Sequence, residues 1–97
     1  MFEIFWTGEA NAAYITLKAA PACAKQYKAV KRCIQLLAAD PRHPGLQTHE
    51  YSSLKVPAGE KVIEAYAEQN TPAAYRIFWY YGPSKGMITI VAITPHP

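Results

Sequence analysis

Phe2, Ile4 and Trp6 share one parity, and Glu3 and Phe5 take the other. This period-two alternation predicts a first strand. Thr7 or Gly8 ends it, and Thr7 is placed to cap a helix, with Glu9 in the first turn where a negative charge suits the helix dipole. Ala10, Ala13, Tyr14 and Leu17 then recur at one helical face. Pro21 disfavours helical geometry in the residue before it, so this helix stops near Ala19 or Ala20. The same proline suits the first position of a second helix. Cys23, Tyr27, Val30, Ile34 and Leu37 fall on one face of that helix, which is predicted to run from Ala22 to Ala39.

Asp40-Pro41-Arg42-His43-Pro44-Gly45 reads as a loop, and His49 to Leu54 as a short extended piece. After a turn at Pro57 to Lys61, Ile63, Ala65 and Ala67 alternate with Glu64, Tyr66 and Glu68. This predicts a strand from Val62 to Glu68. Two further runs, Ala74 to Tyr81 and Met87 to Pro97, are rich in β-branched and aromatic residues and flank the loop Gly82 to Gly86. They predict a β-hairpin. Both runs are apolar at both parities, as central strands covered on both sides are. The order is strand, helix, helix and a three-strand meander. Short loops force the meander to be antiparallel. The two helices cover one face of the sheet, and the other face is left partly open.

The totals add limits. A chain of 97 residues with 51% hydrophobic and 18% charged residues predicts one folded domain, residues 1–97. No apolar run approaches the roughly 20 residues that span a bilayer. The opening Met-Phe-Glu-Ile-Phe-Trp lacks the basic region of a signal peptide, so a cytoplasmic location without membrane attachment is expected. The net charge of +3 permits a polyanionic partner without demanding one. Cys23 and Cys33 stand about 15 Å apart along one helix, beyond disulfide reach, and no Cys/His spacing matches a zinc site.

Arg76 and His96 interrupt the apolar closing strands. Arg76, Phe78 and Tyr80 share one face of their strand, and Ile77, Trp79 and Tyr81 the other. In the last strand Val91 and Ile93 take one face, and Ala92, Thr94 and His96 the other. If Ile77 and Trp79 point at the helices, one choice of parity puts Glu64, Arg76 and His96 on the open face. Lys55 and Lys61 lie in the loop leading into it. Such a set suits RNA cleavage by attack of a ribose 2′-hydroxyl on the adjacent phosphate. A base and an acid move the protons, a cation stabilises the phosphate charge, and aromatics such as Tyr66, Phe78 or Tyr80 stack on bases. Simpler readings stand beside these. Glu64 and Arg76 can be a cross-strand ion pair, His96 a solvated end, and Lys55 and Lys61 surface lysines. His43 and His49 read as exposed loop residues, with His49 holding a lesser claim as a base. Lys25, Lys28 and Arg32 form a helical stripe that is either a solvated face or a phosphate-contacting ridge.

Leu36-Leu37-Ala38-Ala39-Asp40-Pro41, His43-Pro44-Gly45-Leu46, Tyr75-Arg76-Ile77-Phe78-Trp79 and Ile90-Val91-Ala92-Ile93-Thr94-Pro95-His96 are informative together. With the element order, they make the chain resemble the RelE/ParE superfamily of type II toxin–antitoxin toxins, on the RelE-like ribonuclease side. The resemblance implies an α+β fold of order β-α-α-β-β-β. In it, a four-stranded, mainly antiparallel sheet carries two helices on one face, and the first strand joins the last in parallel. It also implies cleavage of mRNA in the ribosomal A site without a metal or cofactor, and neutralisation by a cognate antitoxin. By position, Arg76 matches an arginine that contacts the scissile phosphate, and His96 a C-terminal acid or base. Glu64 matches a family carboxylate of variable placement, and Lys55 and Lys61 loosely match RNA-binding cations. The alternative is a non-catalytic member that binds an antitoxin, gyrase or another protein. Homo-oligomerisation stays open.

Overall fold

Two helices pack on one face of a five-stranded sheet in the computed structural model, which describes residues 1–56, 59–69 and 71–95. Strand β1 (Glu3–Trp6) leads into α1 (Gly8–Ala19) and α2 (Ala24–Ala39). Strands β2 (His49–Glu50), β3 (Ile63–Tyr66), β4 (Tyr75–Tyr81) and β5 (Met87–Pro95) follow. The sheet order is β1-β5-β4-β3-β2. β1 runs parallel to β5, and every other neighbouring pair is antiparallel.

The helices begin and end where local chemistry dictates. Thr7 is extended, and its hydroxyl oxygen accepts from the Ala10 N–H at 3.1 Å. The same hydroxyl donates to the Val91 carbonyl at 2.8 Å, so one side chain caps α1 and ties it to β5. A single 3₁₀ turn, Pro21–Cys23, joins the helices, and proline stands first in it. Ala10 and Leu17 of α1 and Val30, Ile34 and Leu37 of α2 are buried against Ala65, Ile77, Trp79, Ile88 and Ile90. The loop of the β4–β5 hairpin, 82–86, is flanked by Gly82 and Gly86, whose φ of +135° and +82° suit a residue without a Cβ.

Two features depart from the sequence reading. The sheet has five strands rather than four, because the two-residue β2 adds an edge beside β3. In addition, Phe78 pairs with Ala92 while Trp79 pairs with Ile90, which leaves Val91 as a β-bulge. The extra residue resets the parity of β5. Ile88, Ile90 and Ile93 therefore all join the helix-side core, and the expected single alternation of Val91 with Ile93 does not hold. Ala92 packs on the opposite face with Val62 and Phe78, against Tyr51, Leu54 and Val56. The stretch from Tyr51 to Val56 thus lies over part of that face and narrows the open side of the sheet to a cleft.

Candidate functional site

The cleft, of about 630 Å³, is bordered by Glu9, Tyr51, Leu54, Phe78, Ala92 and Thr94. Three strands supply the polar groups at its floor. Glu64 of β3 faces His49 directly across the β2–β3 ladder and Phe78 across the β3–β4 ladder. Arg76 of β4 pairs with Tyr66, two residues further along β3. Side chains alternate along a strand, so Glu64 and Tyr66 emerge on one face with His49, Arg76 and Phe78.

The Glu64 side chain is only 7% exposed, and both of its oxygens are engaged. Oε1 accepts from His49 Nε2 at 2.6 Å, and Oε2 accepts from Arg76 Nη1 at 3.0 Å. Charge-assisted contacts of this length are what a carboxylate taken out of water requires. The Arg76 side chain is 13% exposed and its guanidinium carbon lies 3.8 Å from the Tyr66 ring centre, a cation–π stack. Arg76 Nε is buried and has no hydrogen-bond partner among the described residues. The edge of the Tyr66 ring also meets the His49 ring, with centroids 5.8 Å apart. His49 is the accessible member of the group, with 49% of its side chain exposed. Its other nitrogen, Nδ1, lies 3.4 Å from the Gln47 carbonyl oxygen.

No family model and no curated protein matches the sequence. Solved structures do match over nearly the whole chain. The YoeB/ParE toxin from Agrobacterium tumefaciens superposes with a TM-score of 0.70 at 11% identity, covering 99% of this chain and 100% of that one. RelE in the archaeal RelE–RelB complex from Pyrococcus horikoshii gives 0.65 at 14% identity, covering 97% and 93%. The YoeB dimer from Staphylococcus aureus gives 0.63 at 13% identity, covering 99% and 98%. The chain has the RelE/ParE toxin fold.

Within the RelE/ParE fold, the sheet brings Glu64 and Arg76 together, with the candidate stacking aromatics Tyr66 and Phe78 lining the same cleft. His96 lies outside the described residues. Lys61 sits 3.4 Å from Glu50 in an exposed ion pair, away from the floor of the cleft. Lys55 is exposed and, with Lys61, lines a separate depression of about 170 Å³ that shares Tyr51 and Leu54 with the cleft. Tyr80 is partly buried opposite Thr89, nearer the hairpin turn, and does not line the cleft.

His49 and Tyr66 complete the floor. Residue order marks Tyr66 as one of several stacking aromatics and His49 as an exposed loop residue with a lesser claim as a base. Its true signal is pairing with Glu64, which is a property of strand register. His43, the other loop histidine, caps its own turn, with Nδ1 accepting from the Gly45 N–H at 2.9 Å. Among the described residues no three His, Cys, Asp or Glu side chains are grouped as a metal site, and no helix is long and apolar enough to cross a membrane.

Proposed function

We propose that the chain is the toxin of a type II toxin–antitoxin pair, an endoribonuclease that cleaves mRNA on the ribosome and is neutralised by an antitoxin protein. One observation carries this reading: a buried Glu64–Arg76 pair, stacked on Tyr66, at the floor of a cleft large enough for a nucleotide. The match in fold to toxins, two of them described as YoeB and one as RelE bound to RelB, supports it.

The reaction follows from what such a floor offers. The 2′-oxygen attacks the adjacent phosphorus, the bond to the 5′-oxygen breaks, and a 2′,3′-cyclic phosphate and a 5′-hydroxyl result. Negative charge grows on the non-bridging oxygens on the way. Arg76 commits Nη1 to Glu64, and its Nη2 N–H groups are the donors for those oxygens. Tyr66 and Glu64 fix the plane of the guanidinium, so little reorganisation is needed as the charge develops. His96 serves as the acid that protonates the leaving 5′-oxygen.

The test is expression of the chain in a bacterial host, with translated transcripts mapped by primer extension. Growth arrest and new cuts in translated mRNA are expected. Arg76→Ala is expected to reduce cutting by about 10²-fold or more, the loss typical of one transition-state donor. Unchanged toxicity in both Arg76→Ala and His96→Ala would overturn the ribonuclease reading. Accumulation of relaxed plasmid with intact mRNA would point instead to gyrase.

A further inference from the structure

We infer that His49 is the general base of this site and that Glu64 is its positioning residue rather than the base. The inference rests on the reading of the chain as an RNA-cleaving toxin. Glu64 is unsuited to take the proton of a 2′-hydroxyl itself. Its side chain is 7% exposed, one oxygen is held by His49 and the other by Arg76. A base must come within hydrogen-bond reach of the proton it removes, and both Glu64 oxygens are turned into charge-assisted bonds on a buried side chain. His49 stands between Glu64 and the solvent of the cleft, with half of its side chain accessible.

The hydrogen-bond logic assigns the atoms. An ionised carboxylate only accepts, so the His49 nitrogen 2.6 Å from Glu64 Oε1 carries a proton. In the neutral ring this leaves the lone pair on Nδ1. The Gln47 carbonyl oxygen, 3.4 Å from Nδ1, only accepts, so it does not engage that lone pair and can bond Nδ1 only once the ring has gained a proton. When Nδ1 takes the 2′-hydroxyl proton, the 2′-oxygen forms its bond to phosphorus and the 5′-oxygen leaves with a proton from the acid. The imidazolium that forms already faces the Glu64 carboxylate, which stabilises it. The titratable and charged groups around His49 are Glu64 and Tyr66 of β3, Arg76 of β4, Glu9 at the start of α1, Glu50 next to it in sequence and Tyr51 two residues along. The direct partner among them is anionic, which suits a ring that gains charge during the reaction.

Cleavage of a ribosome-bound mRNA by purified protein, measured as a pH–rate profile, tests this. The wild type is expected to show a limb rising with pH between about 5 and 8, where a histidine base loses its proton. His49→Gln is expected to lower the rate by about 10²-fold or more and to abolish that limb. Imidazole in the buffer is expected to restore at least about tenfold of the rate lost by His49→Ala, which a purely structural histidine would not allow. Glu64→Gln keeps an acceptor for Nε2, so it is expected to be slower yet retain the limb. Three results overturn the inference alone: a limb that survives His49→Gln, a limb lost only in His96→Gln, or a His49→Ala variant that imidazole does not rescue. A wild type that cuts no RNA under any condition overturns the proposed function together with this inference.

Discussion

Glu64 and Arg76 meet on a diagonal of the sheet, not across a rung. Glu64 is opposite Phe78 and Arg76 is opposite Tyr66, yet Arg76 Nη1 reaches Glu64 Oε2 at 3.0 Å. The diagonal leaves room for Tyr66 to lie against the guanidinium and for His49 to occupy the rung beside Glu64. Three strands are therefore joined through one carboxylate. Removing it is a structural event as well as a chemical one.

Glu64→Ala is expected to destabilise the fold by about 3–5 kcal/mol, because it leaves the Arg76 guanidinium buried and unpaired. A Glu64→Leu/Arg76→Met double variant removes both charges and is expected to be more stable than Glu64→Ala. Urea unfolding of these variants, of Glu64→Leu and of Arg76→Met closes the cycle. A double variant less stable than either single variant would contradict a pair that costs much of what it gains on burial.

Thr7→Ala removes a helix cap and the tie from α1 to the bulge at Val91 in one substitution. The expected loss is about 1–2 kcal/mol, at the upper part of the range for an N-cap. The urea midpoint should fall with no change in slope. Thr7→Ser keeps the hydroxyl and should recover most of the loss. Equal losses in both variants would assign the effect to the methyl group.

Stability is expected to fall on the alkaline side. Burial pushes the Cys33 thiol up to about 12. Burial, followed by the Tyr27 hydroxyl, pushes Tyr14 up to about 12, and burial also raises Tyr75. All three are neutral when protonated. For Cys33 and Tyr14, between the ordinary values of 9.0 and 10.0 and about 12, the unfolded chain gives up protons that the folded chain keeps, and the raised Tyr75 acts in the same direction. The unfolded state then binds fewer protons, so stability is full below about pH 9 and declines above it. Urea midpoints across that interval check the sign. Thiol labelling gives a second readout: Cys23, partly exposed, should react with iodoacetamide well before buried Cys33.

Most of the scaffold could be read from residue order because its signals are local. The Thr7 cap, the Pro21 break and the Gly82–Gly86 turn each rest on the geometry of a few neighbouring residues. The strand at Ile63–Tyr66 was legible from the alternation of Glu64 and Tyr66 with Ile63 and Ala65, and this put Glu64 on the side of Arg76. The bulge at Val91 was not legible. Ile90, Val91, Ala92 and Ile93 are all small or aliphatic, so nothing in the run marks the extra residue. The extended piece beginning at His49 was legible, but its place in the sheet was not: two residues carry no period, and His49 acquires meaning only when the ladder places it opposite Glu64. The missed part of the site is the part that depends on register between segments distant in sequence.

Arg76 offers the sharpest separation of charge from geometry. Arg76→Lys keeps one positive charge but gives up the planar fork. An ammonium can stay with Glu64 or reach the substrate, and it cannot lie flat on Tyr66 in the same way as the guanidinium does at 3.8 Å. Cleavage by Arg76→Lys is therefore expected to fall well below wild type while staying above Arg76→Ala. Tyr66→Leu leaves Arg76 and Glu64 in place and removes the stack together with the edge contact to His49. Its expected cost in stability is about 0.5–2 kcal/mol. Its expected cost in rate is about tenfold, because the guanidinium is no longer held in one plane. If Tyr66→Leu cleaves at the wild-type rate while Arg76→Ala does not, the plane of the guanidinium is irrelevant and only its charge acts. If Arg76→Lys matches wild type, the same conclusion follows from the other side of the contact.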